Sequence, residues 1–530
     1  MDILADAQKA TLVEHEMGLL QSLKVYRKGA LWSLALSTAI IMEGFDLILI
    51  NSLFGFPSFQ RKFGVLQPDG TYDLTAAWQT GLANGVLVGQ IVGLFINGIV
   101  ADRYGYRKTM ATALVGVVAF IFIIFFAPNI QTLLVGEILI GIPFGIFQAT
   151  ACTYASEVCP TQLRAYLTTY INLCWVIGQI IASGVLKALV DKTDEWGYRI
   201  PFALQWIWPV PILIAVALAP ESPWWLARHG RIQDARKSVV RLTNTSAHPN
   251  FNVDHAVAMM VYTDNVEKAV SAGTHYTDCF KGTDLRRTEI VCGAWACQVL
   301  CGSAFSGYSS YFFQQAGLDA SDSFSLTLGQ YCIGAVGVFT SWFLMGWFGR
   351  RTLYLYGLAA MAVFLAIIGF VGLAGRSNTG AQWSIGAMIL IFTFVYDSTV
   401  GPICYAVVSE IPSTRLKTKS VALARNSYNI TGIVNNIITP RMLNPTAWNW
   451  GAKSGFFWAG SCVLCFVWAY FRLPEPKGRT YSELDILFET KISARKFKSA
   501  AVDGFSGNGR EHRDTSPLGK VEGVEAEKIS

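Results

Sequence analysis

Apolar residues along this chain come in long uninterrupted runs, not in the short alternations of a soluble core. Such runs lie at 30–52, 77–99, 109–127, 131–153, 165–187, 200–219, 290–313, 323–346, 353–374, 384–408, 419–441 and 454–472. Each is close to the ~20 residues that a helix needs to cross a bilayer. In lipid every backbone N–H and C=O must be satisfied inside the protein, so runs of this length are expected to be helical. The pattern predicts an all-α membrane protein with twelve transmembrane helices in two groups of six. The expected organisation is an N-terminal tail (1–29), a first six-helix bundle (30–219), a central loop (220–289), a second bundle (290–473) and a C-terminal tail (474–530). Within the loop, residues 228–242 have the spacing of an amphipathic helix. Beyond about residue 500 the tail has the composition of a disordered segment.

Composition agrees with lipid as the solvent. Hydrophobic residues make up 52% of the 530 and charged residues 15%, with a mean hydropathy of +0.38. A polar stretch of 29 residues without a small-residue cleavage site precedes the first run, so no cleavable signal peptide is expected. The net charge of +6 matters less than its placement. Arg103, Arg107, Lys108, Arg164, Arg350, Arg351, Arg415, Lys417 and Lys419 gather in the loops after runs 2, 4, 8 and 10. Positively charged loops stay in the cytoplasm, which puts these loops, the central loop and both tails on that side. Most of the eleven cysteines fall inside the runs and read as small packing residues. No phosphate-binding loop, paired histidine ligands or nucleophile with its base is visible. Neither an enzyme nor a metal, nucleotide or other cofactor is expected, and no nucleic-acid partner.

The halves echo each other. At the end of run 4 Glu157 precedes Arg164 by seven residues, and at the end of run 10 Glu410 precedes Lys417 by seven. The segment ADRYGYRK, with Asp102, Arg103 and Arg107, has a weaker counterpart in GWFGRR, with Arg350. Matching charges at equivalent places imply a pseudo-two-fold bundle with a central mid-membrane site, gated on the cytoplasmic side by these charged ends.

Ionisable residues inside the runs are the candidates for chemistry, because burial in lipid keeps them only where they line an interior or a path. Run 1 carries Glu43 and Asp46, three residues apart and so on one helix face. Run 4 carries Glu137 and run 11 carries Arg425. A carboxyl whose proton affinity changes with conformation can take a proton on one side and release it on the other. Glu43, Asp46 and Glu137 are the candidate partners of Arg425. Sugar hydroxyls need paired donors and acceptors, and sugar ring faces need aromatic surfaces. Tyr308 and Tyr311 in run 7, and Asn426 and Asn429 in run 11, are of those types.

The segment GIVADRYGYRK at 98–108 resembles the signature loop of the major facilitator superfamily. Pro220-Glu221-Ser222-Pro223 and Pro474-Glu475-Pro476-Lys477-Gly478 resemble the motifs that close the two halves of its sugar porters. A closer resemblance, to the fungal maltose and α-glucoside permeases, runs along nearly the whole chain. It is carried by EGFD at 43–46, YASEVCP at 154–160, LTTYINLCWVIGQ at 167–179, PESPWWLARHGR at 220–231, SEIPSTRLKTK at 409–419 and LARNSYN at 423–429. That resemblance implies proton-coupled uptake of α-glucosides across the plasma membrane, with sugar and proton as partners in the bilayer. It places Asp46 at the acidic position of the first span. It also assigns Gln298, Asn172 and Tyr405 to sugar contact. Two positions depart from the pattern: Gln90 stands where these permeases carry a glutamate, and Glu137 follows Gly136 where sugar porters carry an arginine. Carriage of another sugar such as a hexose, facilitated movement without protons, and sugar sensing without transport remain the alternatives.

Overall fold

A computed structural model describes residues 3–67, 70–248, 251–271, 275–374, 378–413, 416–477, 481–497 and 500. Among them ten helices are long and apolar enough to cross a membrane. They are span 1 (Arg27–Leu53), span 2 (Ala76–Tyr104), span 3 (Tyr106–Phe125), span 4 (Ile130–Val158), span 5 (Thr161–Leu189) and span 6 (Trp196–Leu218). After the linker come span 8 (Ala320–Trp347), span 9 (Arg350–Val371), span 10 (Thr379–Glu410) and span 12 (Ser454–Arg472).

The two other expected spans are helical but more polar. Span 7 starts as Gly282–Leu300, breaks at Cys301–Ser303, and resumes as the short helices Ala304–Gly307 and Ser309–Ala316. Span 11, Lys417–Leu443, carries Arg425, Asn426, Asn429, Asn435 and Asn436. It packs between spans 2 and 7. A helix with that polar content is viable in a membrane protein because the bundle covers it.

The packing repeats with an offset of six. Span 1 lies on span 5 as span 7 lies on span 11; span 2 lies on span 4 as span 8 lies on span 10. Span 3 meets spans 4 and 6, and span 9 meets spans 10 and 12 in the same way. The halves join through spans 5 and 8 on one side and spans 11 and 2 on the other. Spans 1 and 5 come within backbone contact. A Cβ on Gly44 would strike the carbonyl of Trp175, and one on Gly178 would strike that of Ile41. Small residues at such crossings let helices approach closely, and here they fix the stretch of span 1 that holds both acids.

One face of the bundle carries the linker, with helices Pro223–Arg228, Ile232–Leu242 and Val253–Ser271, the last packed on the N-terminal helix Ile3–Glu16. Ala235, Val239 and Leu242 form the buried stripe of the second helix. The far face carries a small hairpin, Val65–Leu66 paired with Tyr72–Asp73. The expectation of disorder beyond about residue 500 lies outside the described residues, as does Arg415.

Candidate functional site

Span 1 turns Glu43 and Asp46 into the interior, both fully buried. Glu43 Oε1 accepts from Gln90 Nε2 of span 2 at 2.7 Å, and also from Gln148 Nε2 of span 4. The other end of Gln148 accepts from Arg425 Nε of span 11 at 2.8 Å. A carboxyl of the first half thus reaches a guanidinium of the second through one amide. Arg425 makes no direct ion pair with Glu43, Asp46 or Glu137; Gln148 stands between it and the nearest of them. Its guanidinium instead lies over Trp295 at 4.8 Å and over Tyr428 at 4.5 Å. Such stacking lets a cation sit in an interior with little water.

Asp46 belongs to a second cluster. Its Oδ1 accepts from Gln205 Nε2 of span 6 at 2.7 Å. Beside it lies the Glu137 carboxyl of span 4, also fully buried. Neither oxygen of Glu137 receives an N–H or O–H donor. Two ionised carboxylates so placed would repel, and neither could donate, so a direct hydrogen bond between them needs a proton on one of the two.

The expected sugar residues divide. Asn429 is buried with both ends of its amide unpaired, and Asn426 Oδ1 is also buried and unpaired. Buried polar atoms nearly always find partners, so unpaired ones within one turn of Arg425 mark a place for a polar ligand. Tyr405 stands edge-on to Trp295 at 4.8 Å, and Tyr428 does so at 5.2 Å, giving aromatic walls beside those amides. Gln298 ties span 7 to the bend in span 10 through the Gly401 carbonyl at 3.0 Å. Asn172 of span 5 lies beside Asp397 of span 10, across the two halves.

Tyr308 and Tyr311 sit higher, in contacts that close the far face. Tyr308 stacks on Phe54 at 6.1 Å and donates to Asn436 at 3.4 Å; Tyr311 donates to Asp73 at 3.0 Å. Gln314 to Gly55, Asn84 to Ile433, Asn436 to Ala83 and Asn444 to Leu74 join the halves at the same level. Toward the linker face Trp342 donates across the halves to Thr169 at 2.9 Å. Among the described residues these contacts join the two halves across the far face, above the central acids.

The charged ends form two matching networks. Glu221 accepts from the backbone N–H groups of Tyr106 and Arg107 at the start of span 3. Glu475 accepts in the same way from Arg350 and Arg351 at the start of span 9. Arg107 donates to the Val216 and Ala217 carbonyls and Arg351 to that of Tyr470, which binds the closing end of each half to its third helix. Gly105 makes the first cap possible: its φ is 89°, and a Cβ there would lie 2.6 Å from Glu221 Oε2. Burial raises the Glu221 carboxyl above its ordinary value, against the three backbone N–H groups that favour its charge. Glu157 pairs with Arg228 and receives Tyr106 Oη; Glu410 pairs with Arg350 at 3.1 Å. Burial would lower the Arg228 guanidinium, but Glu157 and Tyr106 hold it above its ordinary value. Asp102 contributes its carbonyl to Trp225 Nε1 at 2.8 Å, and Arg103 lies over the Tyr104 ring. The side chains of Arg164 and Lys417, the expected partners of this repeat, lie outside the described residues.

Several members of the site were not singled out from sequence: Gln148, Gln205, Trp295, Asp397 and Arg228. The available signal was an uncharged amide or a carboxyl in mid-span, such as Gln148 in GIPFGIFQAT.

The family model for sugar (and other) transporters matches residues 32–488. The general alpha-glucoside permease of Saccharomyces cerevisiae is 43% identical over 519 residues, 97% of this chain and 84% of that protein. Maltose permease MAL31 of the same yeast is 42% identical over 510 residues, covering 95% and 83%. The xylose transporter XylE of E. coli, in a partially occluded inward open conformation, superposes with a TM-score of 0.68 at 18% identity, over 84% of this chain and 98% of that one. XylE bound to 6-bromo-6-deoxy-D-glucose gives 0.68 at 19% identity, over 86% and 98%. With a matched model across most of its length, relatives above two-fifths identity and the fold of a facilitator, the chain belongs to the sugar transporter family of the major facilitator superfamily.

Proposed function

We propose that this protein imports α-glucosides such as maltose together with protons by alternating access. It does so in the plasma membrane, with the linker face and both termini in the cytoplasm. The observation that carries the reading is the pairing of two arrangements around span 1: two buried neighbouring carboxyls that need a proton to bond to each other, and a carboxyl joined through an amide to a cation of the other half. In the proposed cycle the site opens to the far face, takes a proton onto the Asp46–Glu137 pair or Glu43, and binds sugar against Asn426, Asn429 and the aromatic walls. Closure of the far face gives the arrangement described above. Opening to the linker face lets water reach the carboxyls, the proton leaves with the sugar, and the emptied carrier returns. The names of the yeast relatives support the α-glucoside class, and the basic linker face supports the orientation.

Uptake of labelled maltose in a transport-deficient host, with and without a protonophore, tests the reading. Accumulation above the external concentration that collapses with the protonophore is expected. Gln90, standing where an acid occurs in the permeases it resembles, favours a second reading as a facilitator. In that case the steady state would equal the external concentration and ignore the protonophore.

A further inference from the structure

A second concave site lies on the linker face, away from the carboxyls. The ends of spans 2 and 6, the start of span 3 and the linker helices Pro223–Arg228 and Ile232–Leu242 enclose a cavity of about 650 Å³. Arg103, Arg107, Lys108, Arg231, Lys237 and Arg241 line it, against two acids, Glu221 and Asp234. The two acids offset only part of this charge, since six cations face them. Glu221 is taken up by the backbone N–H groups of Tyr106, Arg107 and Ser222. Asp234 is shared between Arg231 and Lys237. Arg107 and Arg241 each give N–H groups to the last carbonyls of span 6, which fixes their guanidinium planes and leaves further N–H groups on each. A cavity of ligand size with a surplus of fixed cations calls for an anion, and arginine forks match phosphate oxygens best.

Its position decides which anion. The walls run directly into the lipid-facing surface: Ile99 and Tyr104 of span 2, Val115 of span 3, and Ile214 and Leu218 of span 6 are all exposed apolar side chains. A pocket for a free metabolite has no use for an apolar strip leading from its mouth; a lipid has. We propose that this cavity binds the phosphorylated headgroup of an anionic phospholipid of the phosphoinositide class, with the acyl chains lying along spans 3 and 6. The bound headgroup would bridge the linker helix Ile232–Leu242 to the start of span 3. It would thereby brace the same capped junction that Glu221 holds. A soluble inositol phosphate offers the same headgroup chemistry, and the tail distinguishes the two.

The test uses the full-length transporter in detergent and native mass spectrometry. The probes are a short-chain phosphatidylinositol monophosphate, a phosphatidylcholine of equal chain length and a tail-less inositol phosphate. The variant is Lys108→Gln/Lys237→Gln, both exposed at the rim, Lys237 to 76%. Lys62→Gln on the far face is the control. The phosphoinositide is expected to be retained over phosphatidylcholine. It should bind about 30-fold more weakly to the double variant, the effect of two lysines at a charged membrane surface. Lys62→Gln should bind it as the wild type does, and lipid-free melting temperatures should agree across the three proteins. Equal retention by wild type and double variant, or no preference over phosphatidylcholine, overturns the proposal. Equal affinity for the tail-less inositol phosphate overturns the lipid assignment.

Discussion

Replacing Asp46 by asparagine keeps the side chain's shape and removes its exchangeable proton. Gln205 donates to Asp46 Oδ1 at 2.7 Å, and the carbonyl oxygen of the introduced amide can accept that bond unchanged. The amide nitrogen can donate to Glu137, supplying permanently the hydrogen that the carboxyl pair needs from solution. The variant therefore mimics the protonated pair, and its fold should change by less than about 1 kcal/mol, the net worth of one hydrogen bond. The effect on transport is larger. A carrier moving one proton per sugar comes to equilibrium at tenfold accumulation for each pH unit across the membrane, about 1.4 kcal/mol. In proteoliposomes one pH unit more alkaline inside, with the membrane potential clamped, the wild type should approach roughly tenfold accumulation of labelled maltose. The Asp46→Asn variant should stop at equal concentrations while still exchanging labelled for unlabelled sugar, which requires no net proton release. Tenfold accumulation by the variant would refute the assignment of coupling to this pair. Loss of exchange as well would refute the idea that asparagine stands in for the protonated form.

Arg425→Lys keeps the charge but loses the Nε that reaches Gln148 and the flat face that lies on Trp295 and Tyr428. Uptake kcat/KM should fall roughly tenfold or more; near wild-type uptake would show that charge alone suffices. Asn429→Ala removes an amide with no protein partner, so the melting temperature should hold or rise. The KM for maltose should rise by roughly 5- to 30-fold, one lost hydrogen bond of about 1–2 kcal/mol, and an unchanged KM would take Asn429 out of the sugar site. Gly105→Ala forces a side chain to φ 89° and against Glu221. It should cost about 1–2 kcal/mol in backbone strain and lower the melting temperature. Adding Glu221→Gln should cost little more once the cap is displaced, whereas fully additive losses in a double-mutant cycle would show that the two act separately.

All twelve helices were legible as apolar runs because hydropathy is a sum over many residues and tolerates local exceptions, although among the described residues only ten are long and apolar enough on that measure alone. Spans 7 and 11 are less apolar for the reason that makes them functional: they face the central site and carry its polar side chains. The acids were legible for a similar reason, since a carboxyl in a lipid-length run is anomalous by itself. Their partners were not. Gln148 and Gln205 become meaningful only when helix packing sets them against Glu43 and Asp46, and no spacing along one helix encodes a contact between spans 1 and 4. The expectation that Arg425 would meet a carboxyl reasoned from charge alone and overlooked that a neutral amide can carry the link. Tyr308 and Tyr311 have the chemistry of a sugar site, but the break after Leu300 carries them to the far-face closure. The roles of Glu221 and Glu475 emerge from three dimensions as well, because each motif lies about a hundred residues or more from the helix start it caps.

The amides around the acids explain why one site can work in both protonation states. A glutamine offers an N–H₂ donor at one end and a carbonyl acceptor at the other, and rotation of the group exchanges them. Facing an ionised Glu43, Gln90 and Gln148 donate; facing a protonated Glu43, one of them can turn and accept. An acid at position 90 could not donate while ionised, so Gln90 extends the range of states in which Glu43 is satisfied. Gln148 has a further constraint, because its carbonyl end is engaged by Arg425. If it turns to accept a proton from Glu43, it presents its N–H₂ to a guanidinium that has no acceptor to offer, and the bond between the halves is lost. On the proposed cycle the protonation of Glu43 and the hold of span 4 on span 11 compete whenever Gln148, and not Gln90, is the amide that turns. By that route a proton entering from the far face would loosen a cross-half bond, which is what coupling proton movement to alternating access requires.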